Sequence, residues 1–571
     1  YKTLIFNYVE NTTYPQISAD DTNLVAWYKF DGSDVVDSSG NGNDLESVSL
    51  NGTLQTDFIY PSLKIPENNK YLFPLAITET LMTQNWSISF YVKIDSTNST
   101  NSTIIFGIRT SNTMPYDDLY MIAYHGNTGY PKVGFNIRND RNASTDALFN
   151  YNTLDGSIFL YDTWHYITLT LNKTNTGTTV NFYNNGSLII SETKSSNFTL
   201  PYLDSTMKMA LHDMYTDNVF QNNDNKIIYY ADFRIYNKSL TQSEISDLYN
   251  NYYQTNYDIE FPEEVDADIL IVGGGGSGGS SMGGGGGAGG VVYTVNQKLS
   301  GYYKIGVGKG GKGVNLPGVD SEAVQGNDGY DSYIKNINNT DYITMNMGGQ
   351  LQNLRAYGGG GGGAYYVSGS HTLINASGRQ GGSGGGGSDG LSNNANIVTN
   401  GGISIQPNTL WNGSEYIKGG SDGNGNHLPN DNYQSGGGGG AGGISPINNT
   451  SGKTGILLDI SGIPRYYAGG GGGGQYATTG NFDYTWGLGG NNVGGNGRIY
   501  DLTNNIYRRI PYDGVNGTGS GGGGQAYTQN PDLASGAGGN GVVIIRYLSK
   551  KTIKNNYLSY ILKQVNGVQV Y

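Results

Sequence analysis

Glycine sets the terms on which this chain can fold. Of its 92 glycines, 11 lie in residues 1–257 and one in 548–571, leaving 80 between 258 and 547. Glycine loses more backbone freedom on ordering than any other residue, so a segment this rich in it must recover that loss or stay disordered. A flexible linker would be monotonous in Gly and Ser. Here the runs are bracketed by aromatic and apolar residues: Tyr357 and Tyr365, Tyr467 and Tyr476, Tyr527 and the apolar 542–547. The pattern predicts ordered, extended, polyproline-II-like glycine segments lying side by side, close enough to exchange N–H···O bonds and to exclude any side chain. A collagen helix is excluded, because there is no strict Gly-X-Y period and only 15 prolines.

The rest of the composition points to strands. Charged residues are only 14% of the chain while Tyr reaches 47, and strong helix formers are scarce. The net charge of −13 comes without a basic cluster, which argues against nucleic acid and makes divalent cations the more natural partner. The absence of Cys removes disulfides, Cys–zinc sites and thiol catalysis but fixes no compartment. No apolar run approaches the length of a membrane-spanning helix. A chain beginning at Tyr1 without a signal peptide is expected to be a processed form or an excerpt.

Residues 1–257 read as short strands broken by turns. NLVAWYKF, WSISFYVKI, KVGFNIR, HYITLTL and TTVNFYNNGSLII have strand length and alternation, and Asn185-Gly186 suits a type I′ hairpin turn. One helix is predicted over 239–250, with Thr241 and Glu244 at capping-box spacing and Ile245 and Leu248 on one face. Many strands with one short terminal helix describe a two-sheet β-sandwich.

The segments AWYKFDG (26–32), DSSGNGNDL (37–45), NWSISFYVK (85–93), TWHYITLTLN (163–172), VNFYNNGSL (180–188) and DFRIYNKSLTQSEISDLYN (232–250) occur in that order. Together they resemble the laminin-G-like, concanavalin A-like jelly-roll family. From DADILIVGGGGSGG to GAGGNGVVIIRYL, the second half resembles the glycine-rich domain of phage, bacterial and large-virus surface proteins. The expected fold is all-β: a jelly-roll β-sandwich plus a second small β framework carrying the packed glycine segments. The expected divisions are an N-terminal strand segment (1–23), the jelly roll (24–252), a linker (253–265), the glycine-rich domain (266–548) and a C-terminal hairpin or strand (549–571). Each terminal segment completes its own sheet or, alternatively, pairs with a neighbouring copy.

The jelly-roll resemblance implies a structural calcium ion held by Asp31, by Gly40, Asn41 and Asn43 of the 40–43 loop, and by Asp232 before the RIY strand. Asp37 adds a further carboxylate to that loop. The alternative is a turn held by Asx bonds, with Asp232 paired to Arg234. Sugar binding would use an aromatic platform with Asn or Asp, but no particular Tyr stands out; lectin activity comes from the resemblance alone.

Two look-alikes of enzyme motifs fail. ILIVGGGGSGG (269–279) satisfies G-x-G-x-x-G, yet glycine and VVYTV follow where a helix and an acidic strand are required. EEVDAD (263–268) approaches a glucanase acid pattern but ends in Asp268 and reads as solvated linker charge. His125, His165, His212, His371 and His427 show no ligand spacing. No enzyme is predicted.

Sequons for N-glycosylation stand at Asn11, Asn51, Asn85, Asn98, Asn101, Asn142, Asn172, Asn185, Asn197, Asn237, Asn338, Asn375, Asn412, Asn448, Asn449 and Asn516. The reading at this level is an extracellular or virion-surface fibre or adhesin protein. Its lectin-like module would bind glycans or other surface proteins, and the glycine-rich part would be a rigid spacer, with self-association into a homo-oligomer or fibre and no membrane span. The alternatives are a purely structural filament joined through terminal strands, and a glycoside hydrolase accessory module.

Overall fold

The structure is a computed structural model. It describes residues 1–10, 22–33, 35–47, 52–55, 60–66, 70–81, 85–95, 103–109, 117–125, 131–139, 148–151, 163–195, 208–212, 214–216, 219–220 and 227–315, together with 323–336, 342–347, 350–365, 376–388, 399–406, 416–419, 421–424, 432–444, 449–477, 486–501, 503–526, 534–548, 561–562 and 568–570. Two compact units divide the chain: Asn11–Tyr252, and Tyr1–Glu10 with Tyr253–Tyr571.

The first unit is the predicted sandwich. One sheet runs Ser187–Ser195, Gly177–Asn184, His165–Thr174, Asn85–Ile94, Ile228–Tyr236, Ser62–Ile65, Thr53–Gln55, with Leu24–Tyr28 also paired to Ile228–Tyr236. The other runs Leu148–Tyr151, Pro131–Asn139, Asp117–His125, Thr103–Arg109, Ala210–Leu211, Tyr71–Leu72, Glu46–Ser47, with Met214–Thr216 and Val219–Phe220 attached. Alternation explains the arrangement: Trp86, Ile88, Phe90, Val92 and Ile94 of one strand enter a core shared with Phe106, Met121, Val133 and Phe135 of the opposite sheet. At the centre Phe90 stacks on Phe233 with ring centroids 4.8 Å apart.

The predicted helix spans Gln242–Tyr253, and its capping box is made in both directions. The Thr241 N–H donates to Glu244 Oε2 at 2.9 Å, and the Glu244 N–H donates to Thr241 Oγ1 at 3.3 Å. The Asn185-Gly186 turn has positive φ at both residues, 50° and 75°, as a type I′ turn requires.

The second unit corrects the expected divisions. Its main sheet runs Arg355–Ala356, Ser332–Asn336, Val291–Gly308, Gln254–Val272, Val542–Tyr547, Lys2–Asn7, Val568–Val570. Residues 253–265 are therefore no linker: Tyr253 ends the helix, and from Gln254 on they open a 19-residue strand, Gln254–Val272. Lys2–Asn7 pairs antiparallel with Val542–Tyr547 and with Val568–Val570, so described parts of both terminal segments sit in the glycine-rich unit's own sheet. The signal for the long strand was period two. Val265, Ala267, Ile269 and Ile271 face one core, whereas Leu270 and Val272 face a second one with Ala288, Ala441 and Tyr467.

Beyond that sheet the glycine runs pack backbone to backbone. Gly273, Gly276 and Gly279 donate to the carbonyls of Gly290, Gly287 and Gly284; Gly274, Ser277 and Ser280 donate to Tyr330, Asn327 and Val324; Gly275 and Gly278 donate to Gly539 and Gly536. Donors thus change neighbour with a period of three residues, the repeat of a helix with three residues per turn. Residues 283–290 are enclosed completely. Their N–H groups go to 519–525, 357–363 and 436–439 in the same rotation, and their carbonyls accept from 273–279, 383–386 and 471–474. Six neighbours surround one run, and every residue of 283–290 is buried. A Cβ on Gly286 would lie 2.1 Å from the carbonyl oxygen of Gly276, which no side chain tolerates. Asp and Asn between runs close the rim: Asp331 and Asp328 accept the N–H groups of Gly358 and Gly361, and Asn491 that of Gly455.

Candidate functional site

The outward face of the sandwich's eight-stranded sheet carries the chemistry of the first unit. Side chains opposite the core alternate along Asn85–Ile94 as Ser87, Ser89, Tyr91 and Lys93. Ser89 Oγ lies 3.0 Å from the Tyr166 hydroxyl, and Tyr166 packs between Tyr91 and Tyr249 of the helix at 4.6 and 5.9 Å. Burial, and next the Asp232 carboxylate, push the Tyr166 phenol far above its ordinary range, so it is a neutral hydroxyl.

Beside it lies a buried ion pair. Trp27 and Arg234 oppose each other across the strand pair, and the Arg234 guanidinium sits 4.2 Å from the indole centre. An irregularity between Ala231 and Arg234, with Asp232 at φ 48°, aims the Asp232 carboxylate at Trp27 and Arg234 on the outward face. Its Oδ1 accepts from Trp27 Nε1 at 2.7 Å and from Arg234 Nε at 2.8 Å. Burial works against the charge on Arg234, but Asp232 outweighs it and holds the guanidinium above its ordinary value.

The 37–45 loop is stapled to the Leu24–Tyr28 strand. Asp37, buried, accepts four hydrogen bonds: from the N–H groups of Trp27, Ser39 and Asn43 and from the Ser39 hydroxyl. Asn41 Nδ2 donates to the carbonyls of Leu24 and Val25, and Asn43 Nδ2 to Val25. Asp31 and Gly40 are exposed. Of the residues the resemblance assigned to calcium, the structure groups Gly40, Asn41 and Asn43 in one loop, while Asp232 gives Oδ1 to Trp27 and Arg234 and keeps Oδ2 buried without a hydrogen bond. With Asp37 saturated, the loop fits a hydrogen-bonded turn better than a six- to eight-oxygen cation shell. Among the described residues no three or more His, Asp or Glu gather in a metal-binding group.

Further along the same outward face is an aromatic platform that no sequence motif marks. Strand register sets Tyr229 opposite both Lys64 and Lys93. The Lys93 ammonium lies 4.0 Å from the Tyr229 ring centre and 5.3 Å from that of Trp164, and Lys64 lies 5.6 Å from Tyr229. Trp164 and Tyr229 meet edge to face at 6.2 Å, and all four residues are partly exposed. Two rings with two amines present apolar faces next to hydrogen-bond donors, the pairing that holds amphipathic ligands.

Of the sequons, Asn237, Asn449 and Asn516 are exposed and Asn85, Asn172 and Asn185 partly buried. Asn185 Oδ1 accepts the Tyr166 N–H and so ties the hairpin turn to the sheet. Asn11, Asn51, Asn98, Asn101, Asn142, Asn197, Asn338, Asn375, Asn412 and Asn448 lie outside the described residues, as do His371 and His427. His165 is buried against Asn184 Oδ1 at 3.2 Å. The glycine fingerprint at 269–279 leads from a strand into the buried glycine array, with no helix. In EEVDAD, Glu264 pairs with Lys298 and Asp268 with Arg546 across neighbouring strands, the latter at 3.0 Å.

These features define a lectin-like sandwich in one unit and a backbone-packed glycine array in the other. The family model of the concanavalin A-like lectin/glucanases superfamily matches residues 67–246. The glycine-rich domain model matches residues 253–548, and the chain belongs to that glycine-rich domain family. No curated protein shows significant sequence similarity to the chain. Among solved structures it is similar to the botulinum neurotoxin serotype D binding domain, with 14% identity and a TM-score of 0.32 over 61% of this chain and 82% of that one. It is also similar to the binding domain of Paraclostridial Mosquitocidal Protein 1, with 16% identity and a TM-score of 0.32 over 61% and 84%. At that level of superposition these likenesses carry no argument. No described helix is long and apolar enough to cross a membrane.

Proposed function

We propose that the chain is a non-catalytic surface or fibre component whose lectin-like unit binds glycans or protein partners through the Trp164–Tyr229–Lys64–Lys93 platform. The observation that carries this reading is the platform itself: two large rings left partly open on a sheet face whose neighbouring aromatics are buried. The match to a concanavalin A-like lectin family agrees with a binding role, and the glycine array acts as a rigid spacer. The self-paired terminal strands do not favour the filament alternative.

Binding of the full chain to a glycan array, repeated with Trp164→Ala/Tyr229→Ala, tests the reading. The double variant should lose at least about tenfold in affinity while keeping its thermal unfolding midpoint, since partly exposed platform residues contribute little to the core. Glycan binding that survives the double substitution unchanged would remove the platform from the function.

A further inference from the structure

A four-stranded sheet in the glycine-rich unit runs Asn432–Gln434, Gln475–Ala477, Ile499–Asp501, Ile506–Arg509. Arg498 stands just before its third strand with a side chain 0% exposed, and its Nε, Nη1 and Nη2 all lack a hydrogen bond of acceptable geometry. Its Cζ lies 3.8 Å from the centre of the Tyr507 ring, and that ring and its phenol are what the guanidinium faces. The nearby carboxylate, Asp501, is taken by Arg508 at 2.7 Å. Gln475 donates its N–H to the Arg498 carbonyl, and both polar atoms of its side-chain amide are buried without a partner. Five of the six buried side-chain polar atoms without a hydrogen bond among the described residues of this unit therefore belong to two adjacent residues. The contrast with Arg509 is direct: it donates Nε to the Gly497 carbonyl and Nη2 to those of Trp486 and Gly487.

A guanidinium keeps its charge at any physiological pH, and burying it without a counter-ion is costly. Among the described residues no carboxylate faces this guanidinium, and a buried cation in that state calls for a counter-ion. The cover over Arg498 is Tyr507, which is 36% exposed, so a rotation of one solvent-facing ring separates the guanidinium from water. The fork of a guanidinium matches the two oxygens of a carboxylate.

We propose that Arg498 anchors a binding site for a carboxylate-bearing ligand, with Tyr507 as its cover. This site belongs to the glycine-rich unit and is independent of the platform reading above. Isothermal titration of the full chain at fixed ionic strength tests it, with sodium acetate and sodium glucuronate as probes and glucose as the neutral control. One acid site per chain is expected, with no glucose binding. Equal affinity for both acids would mean that the carboxylate alone is recognised, and preference for glucuronate that the site also reads the sugar ring. Arg498→Lys, which keeps the charge but loses the fork, should weaken binding about tenfold, and Arg498→Met should abolish it. The proposal fails if neither acid binds the wild-type chain, or if Arg498→Lys and a folded Arg498→Met bind as the wild type does. Should Arg498→Met not fold, the wild-type and Arg498→Lys titrations decide alone.

Discussion

The two units solve the same problem with opposite materials. In the sandwich, side chains fill the space between two sheets, and strand backbones stay at ordinary spacing. In the glycine array the side chains are gone, and the runs themselves interlock, each peptide group finding a partner in a neighbouring run. The first arrangement tolerates a lost methylene by partial relaxation. The second cannot absorb a gained one, because the atom it would strike is a carbonyl oxygen already fixed by a hydrogen bond.

The sharpest way to break this contrast is a paired substitution. Gly286→Ala places a Cβ against the Gly276 carbonyl inside the most enclosed run, and should cost more than about 4 kcal/mol, above the usual range for overpacking. Hydrogen exchange on the full chain should then show protection lost along all six neighbouring runs. Phe90→Ala, in the sandwich core, should cost about 3–5 kcal/mol and leave exchange in the array unchanged. If Gly286→Ala proves as mild as a surface substitution, close backbone packing is not what holds the array together.

Next in size is the ion pair beneath Trp27. Asp232→Ala strands the Arg234 guanidinium in the sheet and should destabilise the sandwich by about 3–5 kcal/mol in denaturant unfolding. Replacing both partners with apolar residues, Asp232→Leu with Arg234→Met, should recover most of that loss. A double variant as unstable as the single one would show that the pair stabilises through more than mutual neutralisation.

A smaller effect is expected at the helix cap. Burial raises the Glu244 carboxyl, but hydrogen bonds from the Lys238 ammonium and the Thr241 N–H together prevail and hold it below its ordinary value. Its folded-state value lies below the unfolded one, so its contribution is present above the unfolded carboxylate range and is lost as pH falls through the folded value. Unfolding midpoints measured from pH 6 down to pH 3 should converge for wild type and Glu244→Gln at the acid end. Parallel curves would contradict the assignment. The smallest effect concerns calcium: with Asp37 saturated and Asp232 Oδ1 shared by Trp27 and Arg234, 1 mM calcium should shift the sandwich midpoint by less than about 1 °C. A rise of several degrees would place an ion at Asp31 and the 40–43 loop.

Much of this was legible in the residue order. The alternation of WSISFYVKI, the Thr241–Glu244 spacing and the Asn185-Gly186 turn are local signals, and local signals survive into the fold. That the glycine runs are ordered followed from the tyrosines at their ends: Tyr365 and Tyr476 meet in one small cluster with Met282, Tyr500 and Ala526. What escaped depends on register. Trp164 and Tyr229 are far apart in sequence, and only the pairing of Tyr229 with Lys64 and Lys93 brings the platform together. The direction of Asp232 hinges on one residue in a left-handed conformation, which its type does not announce. The expected linker is a strand for another reason: Glu264 and Asp266 alternate with the buried Val265 and Ala267, so its charges occupy the solvent side of a strand.

The three-residue rotation of donors around 283–290 has a consequence for how such sequences change over time. Inserting three glycines into a run advances it by one full turn, and every N–H again points at the neighbour it had before. Inserting one or two turns the whole downstream row toward the wrong neighbours. Length differences among related arrays should therefore come in multiples of three, a reading frame written in protein geometry rather than in codons.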